Sequence, residues 1–293
     1  MKKWLCAAIL VLLAGTFAAC TTQPASAPNA DATTIVSIGP NITEILMGLG
    51  YGHLIVAMDS HSPDIPGVPE NIPLLDMFAL DIETILMLEP TVVIATEMIN
   101  WGVDPLELVS RAGIRVVYVP MVNSIADIKE SINLVNYGVT LAPYLSPDHH
   151  LIHNMQTQIN EVRTIAETIT AQRTVYFEID MGPPLFTFSE GSFLQEILEL
   201  IGAINVFGDV EMAWVSVADE QVLARNPDVI LTNVLGEDEA LGIIGSRPGW
   251  SGLDAVINGR VHSIDTNASS RPSQNIVYAM WEIARAVYPE YFQ

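Results

Sequence analysis

Short apolar runs rich in β-branched residues alternate along the chain with stretches whose apolar positions recur every three or four residues. The runs Ile35–Ile38, Leu54–Ala57, Val92–Ala95 and Val116–Val119 predict one set of strands; Val175–Ile179, Val229–Thr232 and Val261–Ile264 predict a second. Their near-continuous apolarity suits parallel strands buried on both faces. Helical spacing marks Asn41–Leu49, Asp104–Ala112 and Ser124–Leu141, and such alternation predicts α/β layers. Between the two sets, residues 146–171 keep a helical period through Leu151, Met155, Ile159, Val162, Ile165 and Ile169. Ser146-Pro147-Asp148 supplies a capping side chain and a first-turn proline. The expected fold is therefore two Rossmann-like α/β lobes, 34–145 and 172–293, joined by one long helix. A helical joint is stiff, so the lobes are expected to move little against each other.

An internal repeat supports two lobes. Glu83-Thr-Ile-Leu-Met-Leu-Glu-Pro90 lies over Glu220-Gln-Val-Leu-Ala-Arg-Asn-Pro227 at a constant offset of 137 (220 − 83 and 227 − 90). Glu44-Ile-Leu-Met-Gly-Leu-Gly50 lies over Glu196-Ile-Leu-Glu-Leu-Ile-Gly202 at an offset of 152 (196 − 44 and 202 − 50). In the first pair the proline stops a helix and the next residues start a strand. Helix-proline-strand is common in α/β chains; two matched pairs in the same order make coincidence less attractive.

The first 20 residues change the picture from fold to location. Lys2 and Lys3 precede the apolar run Trp4 to Ala14, and small residues lead to Cys20. A basic head, a short greasy core and a small-residue exit describe a secretory signal peptide; the run falls short of the ~20 residues a membrane-spanning helix needs. Cys20 resembles the acylated cysteine of bacterial lipoproteins, with Phe17 where leucine is usual. Cys6 would leave with the signal, so no intrachain disulfide is expected. Residues 21–33, small and proline-containing, read as a flexible tether. The chain carries a net charge of −22, and Lys129 is the one lysine beyond the leader. Such an acidic body argues against nucleic acid, which needs basic patches.

Ile35-Val-Ser-Ile-Gly-Pro-Asn-Ile-Thr-Glu-Ile-Leu46 resembles the opening strand, loop and helix of the periplasmic binding proteins that serve ABC importers of cobalamin and ferric siderophores, with haem binders among their relatives. Asp81–Ile94, Glu220–Ile230, Arg247-Pro-Gly-Trp250 and Asn258-Gly-Arg-Val261 extend the resemblance over roughly residues 34 to 288. It implies a helical-backbone, class III fold and no enzymatic activity. It also implies a monomeric lipoprotein, exported and membrane-anchored, in the periplasm or on the outer face of the cytoplasmic membrane. Its partners would be the permease and ATPase subunits of the importer. No resident cofactor is expected; the ligand itself would be a metal chelate, namely a ferric siderophore, haem or cobalamin.

Ligands in open α/β sheets sit at the carboxyl ends of the strands, which singles out Asn41, His61, Trp101 and Phe186 as candidate ligand contacts. Trp101 in its loop is either a ligand wall or a cover for the strand end. The resemblance adds Trp214, matching a ligand-stacking aromatic, and Arg271, matching a ligand-contacting arginine; the alternatives are a core tryptophan and a surface ion pair. Met77 stands where cobalamin-binding relatives have an aromatic, and with Met98, Met121 and Met181 would make a soft, adaptable pocket. Asp59-Ser-His-Ser-Pro63 replaces an aromatic-rich loop of those relatives. Glu83 and Glu220 match the glutamates that dock on permease arginines, although a glutamate in a first helical turn is also favoured by the helix dipole.

Other classes find less support. A carrier of bare zinc or manganese needs several histidines and a carboxylate converging from both lobes, and only His61 is well placed. His149 and His153 share a helix face away from the cleft and read as solvated. The chain contains no Gly-x-Ser-x-Gly elbow, His-Glu-x-x-His pair or phosphate loop, so a hydrolase lacks its machinery. Ser192 reads as a helix N-cap.

Overall fold

The computed structural model describes residues 33–142, 145–146 and 149–293. The expected leader, Cys20 and the tether through residue 32 lie outside them, as do Pro147 and Asp148. The first lobe runs β1 (Ile35–Ile38), α1 (Pro40–Gly48), β2 (Ile55–Asp59), β3 (Leu74–Leu75), α2 (Ile82–Leu88), β4 (Val92–Thr96), α3 (Glu107–Arg111), β5 (Arg115–Val119) and α4 (Ile125–Thr140). Its five strands are all parallel, in the order β3-β2-β1-β4-β5. Helix α5 (His150–Ala166) joins the lobes. It starts at His150, beyond the Ser-Pro-Asp motif, and its N-cap His149 makes no side-chain cap.

The second lobe runs β6 (Thr174–Glu178), β7 (Leu185–Phe188), α6 (Phe193–Leu200), β8 (Ile204–Asn205), β9 (Trp214–Val217), α7 (Asp219–Arg225), β10 (Val229–Thr232), α8 (Glu237–Gly245), α9 (Asp254–Ile257), β11 (Val261–Ser263), α10 (Thr266–Ser270) and α11 (Ile276–Val287). Four strands pair in parallel as β11-β10-β6-β8, and β7 pairs antiparallel with β9. The four strands β3, β7, β8 and β9 were not predicted by the hydrophobic pattern.

Both repeats survive folding. Helices α2 and α7 keep the offset of 137 at each end, and each ends on a left-handed residue, Glu89 at φ 45° and Asn226 at φ 41°, before its proline. Helices α1 and α6 end at the offset of 152, and Gly50 (φ 82°) and Gly202 (φ 75°) follow in the left-handed region open to glycine. Ser192 caps α6, its Oγ accepting from Gln195 N at 3.1 Å.

Strand alternation sorts the core into three parts. Ile35, Val92 and Ile94 of the first sheet face one large cluster, which also takes Val175, Phe177, Val229 and Leu231 of the second, together with the inner faces of α1, α4, α5, α6 and α11. Alternate residues face outward into one smaller cluster per lobe, Val36 and Val93 in the first and Tyr176 and Ile230 in the second. The lobes thus share their largest core across the seam. Among the described residues, no helix is long and apolar enough to cross a membrane.

Candidate functional site

A cleft of about 560 Å³ opens between the lobes where the strands end. The first lobe contributes Pro40, Asn41, His61, Met77, Phe78, Met98 and Met121, and the second Phe193, Leu194, Trp214, Asn233 and Arg271. Its lining is mainly apolar.

Local polar bonds hold the first wall. Asp59, fully buried at the end of β2, accepts from Gly39 N (3.1 Å), His61 N (2.9 Å) and Ser62 Oγ (2.6 Å). Ser62 Oγ also lies within hydrogen-bonding distance of Thr43 Oγ1 (2.9 Å), which pins the 59–62 loop to α1. Gly39 takes φ 132°, and a Cβ there would stand 3.0 Å from Asn41 Oδ1. These bonds set Asn41 and His61 at the cleft. On the opposite wall the Trp214 and Phe193 rings pack in a T-shaped pair, centroids 6.4 Å apart, and Trp214 stays 38% exposed.

Arg271 is buried and already engaged. Its guanidinium donates to both oxygens of Asp64 (2.9 and 3.0 Å), to His61 O (2.9 Å) and to Glu44 Oε1 (3.4 Å), all in the other lobe. Glu44 Oε2 also accepts from Ser273 Oγ and from Asn275 Nδ2 at 3.1 Å. Burial pushes the Glu44 carboxyl above its ordinary range, more than these donors and the Arg271 charge pull it down. Arg271 is a buried cleft residue and not a surface ion pair, and it ties the two lobes at one end of the cleft.

The cleft therefore gathers Asn41, His61, Met77, Trp214 and Arg271 of the predicted contacts, together with Met98 and Met121. Trp101 is 80% exposed and is not part of the lining. Phe186 is also outside it: it is the exposed residue of β7, whose Leu185, Thr187 and Phe188 are buried. Met181 borders a separate hollow beside Glu220 and Arg247. Phe193 and Leu194, which follow the N-cap Ser192, line the cleft without having been singled out by the strand-end rule. The repeat carried the missing signal, since Phe193 stands at the offset of 152 from Asn41, so both lobes line the cleft with the first turn of equivalent helices. Glu83 and Glu220 lie exposed in the first turns of α2 and α7. Among the described residues, no group of three or more His, Cys, Asp or Glu side chains is placed to hold a metal ion.

Two α/β lobes, one helical joint and a cleft at the strand ends define the class of helical-backbone solute-binding folds. Residues 35–268 match the family described as periplasmic binding protein, and the chain belongs to that family. It is 27% identical over 262 residues to the uncharacterized ABC transporter substrate-binding lipoprotein YvrC of Bacillus subtilis (strain 168), covering 88% of this chain and 81% of that protein. It is 26% identical over 254 residues to the vitamin B12-binding protein of Vibrio cholerae serotype O1, covering 86% and 88%. The periplasmic heme-binding protein HutB of Vibrio cholerae superposes with a TM-score of 0.74 at 23% identity, covering 88% of this chain and 99% of that one.

Proposed function

We propose that this protein is the substrate-binding lipoprotein of an ABC importer, and that it captures an uncharged chelate of the corrinoid kind. The observation that carries the ligand class is the state of Arg271. It is the only Lys or Arg side chain lining the cleft among the described residues, and Glu44 and Asp64 already neutralise it. A ligand with free carboxylates, such as haem or an anionic ferric siderophore, would enter an acidic protein without a counter-charge and pay the desolvation of each anion. An amide-rimmed corrinoid that is net neutral, with no free carboxylate, carries less of this burden, and its faces suit Trp214, Phe193 and the three methionines. The vitamin B12-binding relative supports the same choice. Bare zinc or manganese would find no donor set here.

Titration with cyanocobalamin, followed by absorbance and native mass spectrometry, should saturate at one molecule per chain, while hemin should not compete for the cleft. Hemin saturating the protein, or a Soret band on material purified from its host, would replace the corrinoid with haem.

The exposed Glu83 and Glu220 give each lobe one acidic knob for a two-fold permease. Such contacts set register and encounter more than affinity. The double change Glu83→Ala, Glu220→Ala should leave cyanocobalamin affinity as it was and lower uptake by cells several-fold. Undiminished uptake would remove the docking role.

A further inference from the structure

Ligand capture and docking leave the second sequence repeat without a role. Its matched acids, Glu44 and Glu196, each sit about one turn into a helix whose N-terminus opens on the cleft, and each reaches into the other lobe. Glu196 Oε2 accepts from the backbone N–H of Ile125, the first residue of α4, at 2.6 Å. Glu44 takes the Ser273 and Asn275 side chains at the N-terminus of α11, and its backbone oxygen accepts from Gln274 Nε2 at 2.9 Å. The first helix of each lobe thus holds the N-terminal end of the other lobe's last long helix. The exposed partial charge of a helix N-terminus favours a carboxylate in both places.

The two ties are unequal. Glu44 is 6% exposed and belongs to a cluster in which Arg271, Asp64, Ser273 and Asn275 share donors and acceptors, with Asn267 Nδ2 adding a bond to Asp64 at 2.6 Å. Glu196 is half-buried, lines an open groove beside Arg163, Glu167 and Glu199, and makes one hydrogen bond across the seam among the described residues. The second tie is thus a single half-buried bond beside an open groove. Both ties stand at the cleft: Val122 and Phe193, which line it, lie three residues before Ile125 and Glu196, and Arg271 of the other tie lines it directly.

We propose that Glu196 is the releasable latch of the cleft and the Glu44–Arg271 cluster its pivot, so that the lobes part first at the Ile125 edge. Glu196 is then a positioning residue: it sets the distance between Val122 and Phe193 without touching the ligand. The inference rests on the cleft being the binding site and not on which chelate fills it.

Two measurements on the full chain, with Cys6 and Cys20 replaced by serine, test this. Spin labels at Trp101→Cys and Met212→Cys, one on each lobe, report the inter-lobe distance by double electron–electron resonance. Glu196→Ala should add a longer population, and Glu196→Gln, which keeps an acceptor, should restore the parent distribution. Hydrogen exchange should show segment 122–128 opening before 271–276 in the unmodified protein. In Glu196→Ala only the former should accelerate, by about tenfold or more for the loss of one charged hydrogen bond. An unchanged distance distribution in Glu196→Ala, or a 271–276 segment that opens first or together with 122–128, would overturn the assignment. Should the alanine variant fail to fold, the order of opening in the unmodified chain decides. Neither readout needs a ligand, so failure of cyanocobalamin to bind would leave this inference standing.

Discussion

Replacing Arg247 by methionine is expected to destabilise the protein by about 3–5 kcal/mol, the cost of stranding a buried charge. Glu178, at the end of β6, has no solvent exposure, and Arg247 grips both its oxygens at 2.6 and 2.7 Å. The Tyr176 hydroxyl lies 3.3 Å from the same carboxylate, and burial first, then the Glu178 charge, push that phenol well above its ordinary value. The guanidinium also stacks 4.7 Å over Trp250, whose indole N–H donates to Asp219 at 2.7 Å, one residue before Glu220. Methionine keeps much of the length and apolar contact and removes the charge. If the orphaned carboxylate is the cause, adding Glu178→Gln to Arg247→Met should recover a large part of the loss in urea unfolding. Equal destabilisation in the single and double variants would assign the effect to packing around Trp250 instead.

The second large effect is on binding. Trp214→Ala should weaken cyanocobalamin binding about 30-fold or more, the roughly 2 kcal/mol typical of a central aromatic anchor. The ring is 38% exposed on a cleft wall, so the melting transition should stay nearly unchanged. Isothermal titration beside a thermal melt separates the two. Loss of folding would make Trp214 a core residue.

Much of this architecture could be read from the chain. The seam-facing and outward-facing residues of β1, β4, β6 and β10 are near-continuous apolar runs because those strands are covered on both sides, and such runs are hard to mistake. Both repeats gave the helix pairs α1/α6 and α2/α7 with their constant offsets. The short strands escaped notice because β3 and β8 are two residues long, too brief for any period to register. Strands β7 and β9 pair across an intervening helix and strand, which no local pattern announces. The site was legible where position on a strand end decides it, as for Asn41 and His61. It was illegible where distant partners decide. Arg271 lines the cleft as expected, but its pairing with Asp64, 207 positions earlier, has no signature in the chain. Trp101 and Phe186 sit on the right segments, but the direction of a side chain leaving a loop or an edge strand depends on packing that a sequence window does not contain.

The undivided cluster that takes its members from both sheets has a thermodynamic consequence. Because the largest apolar cluster is common to both halves, the polypeptide should melt as one cooperative unit despite its bipartite shape. A guest lodged at the junction then stabilises residues far from any contact, through mass action on the whole native state. For an exported carrier, loading would double as protection from proteolysis.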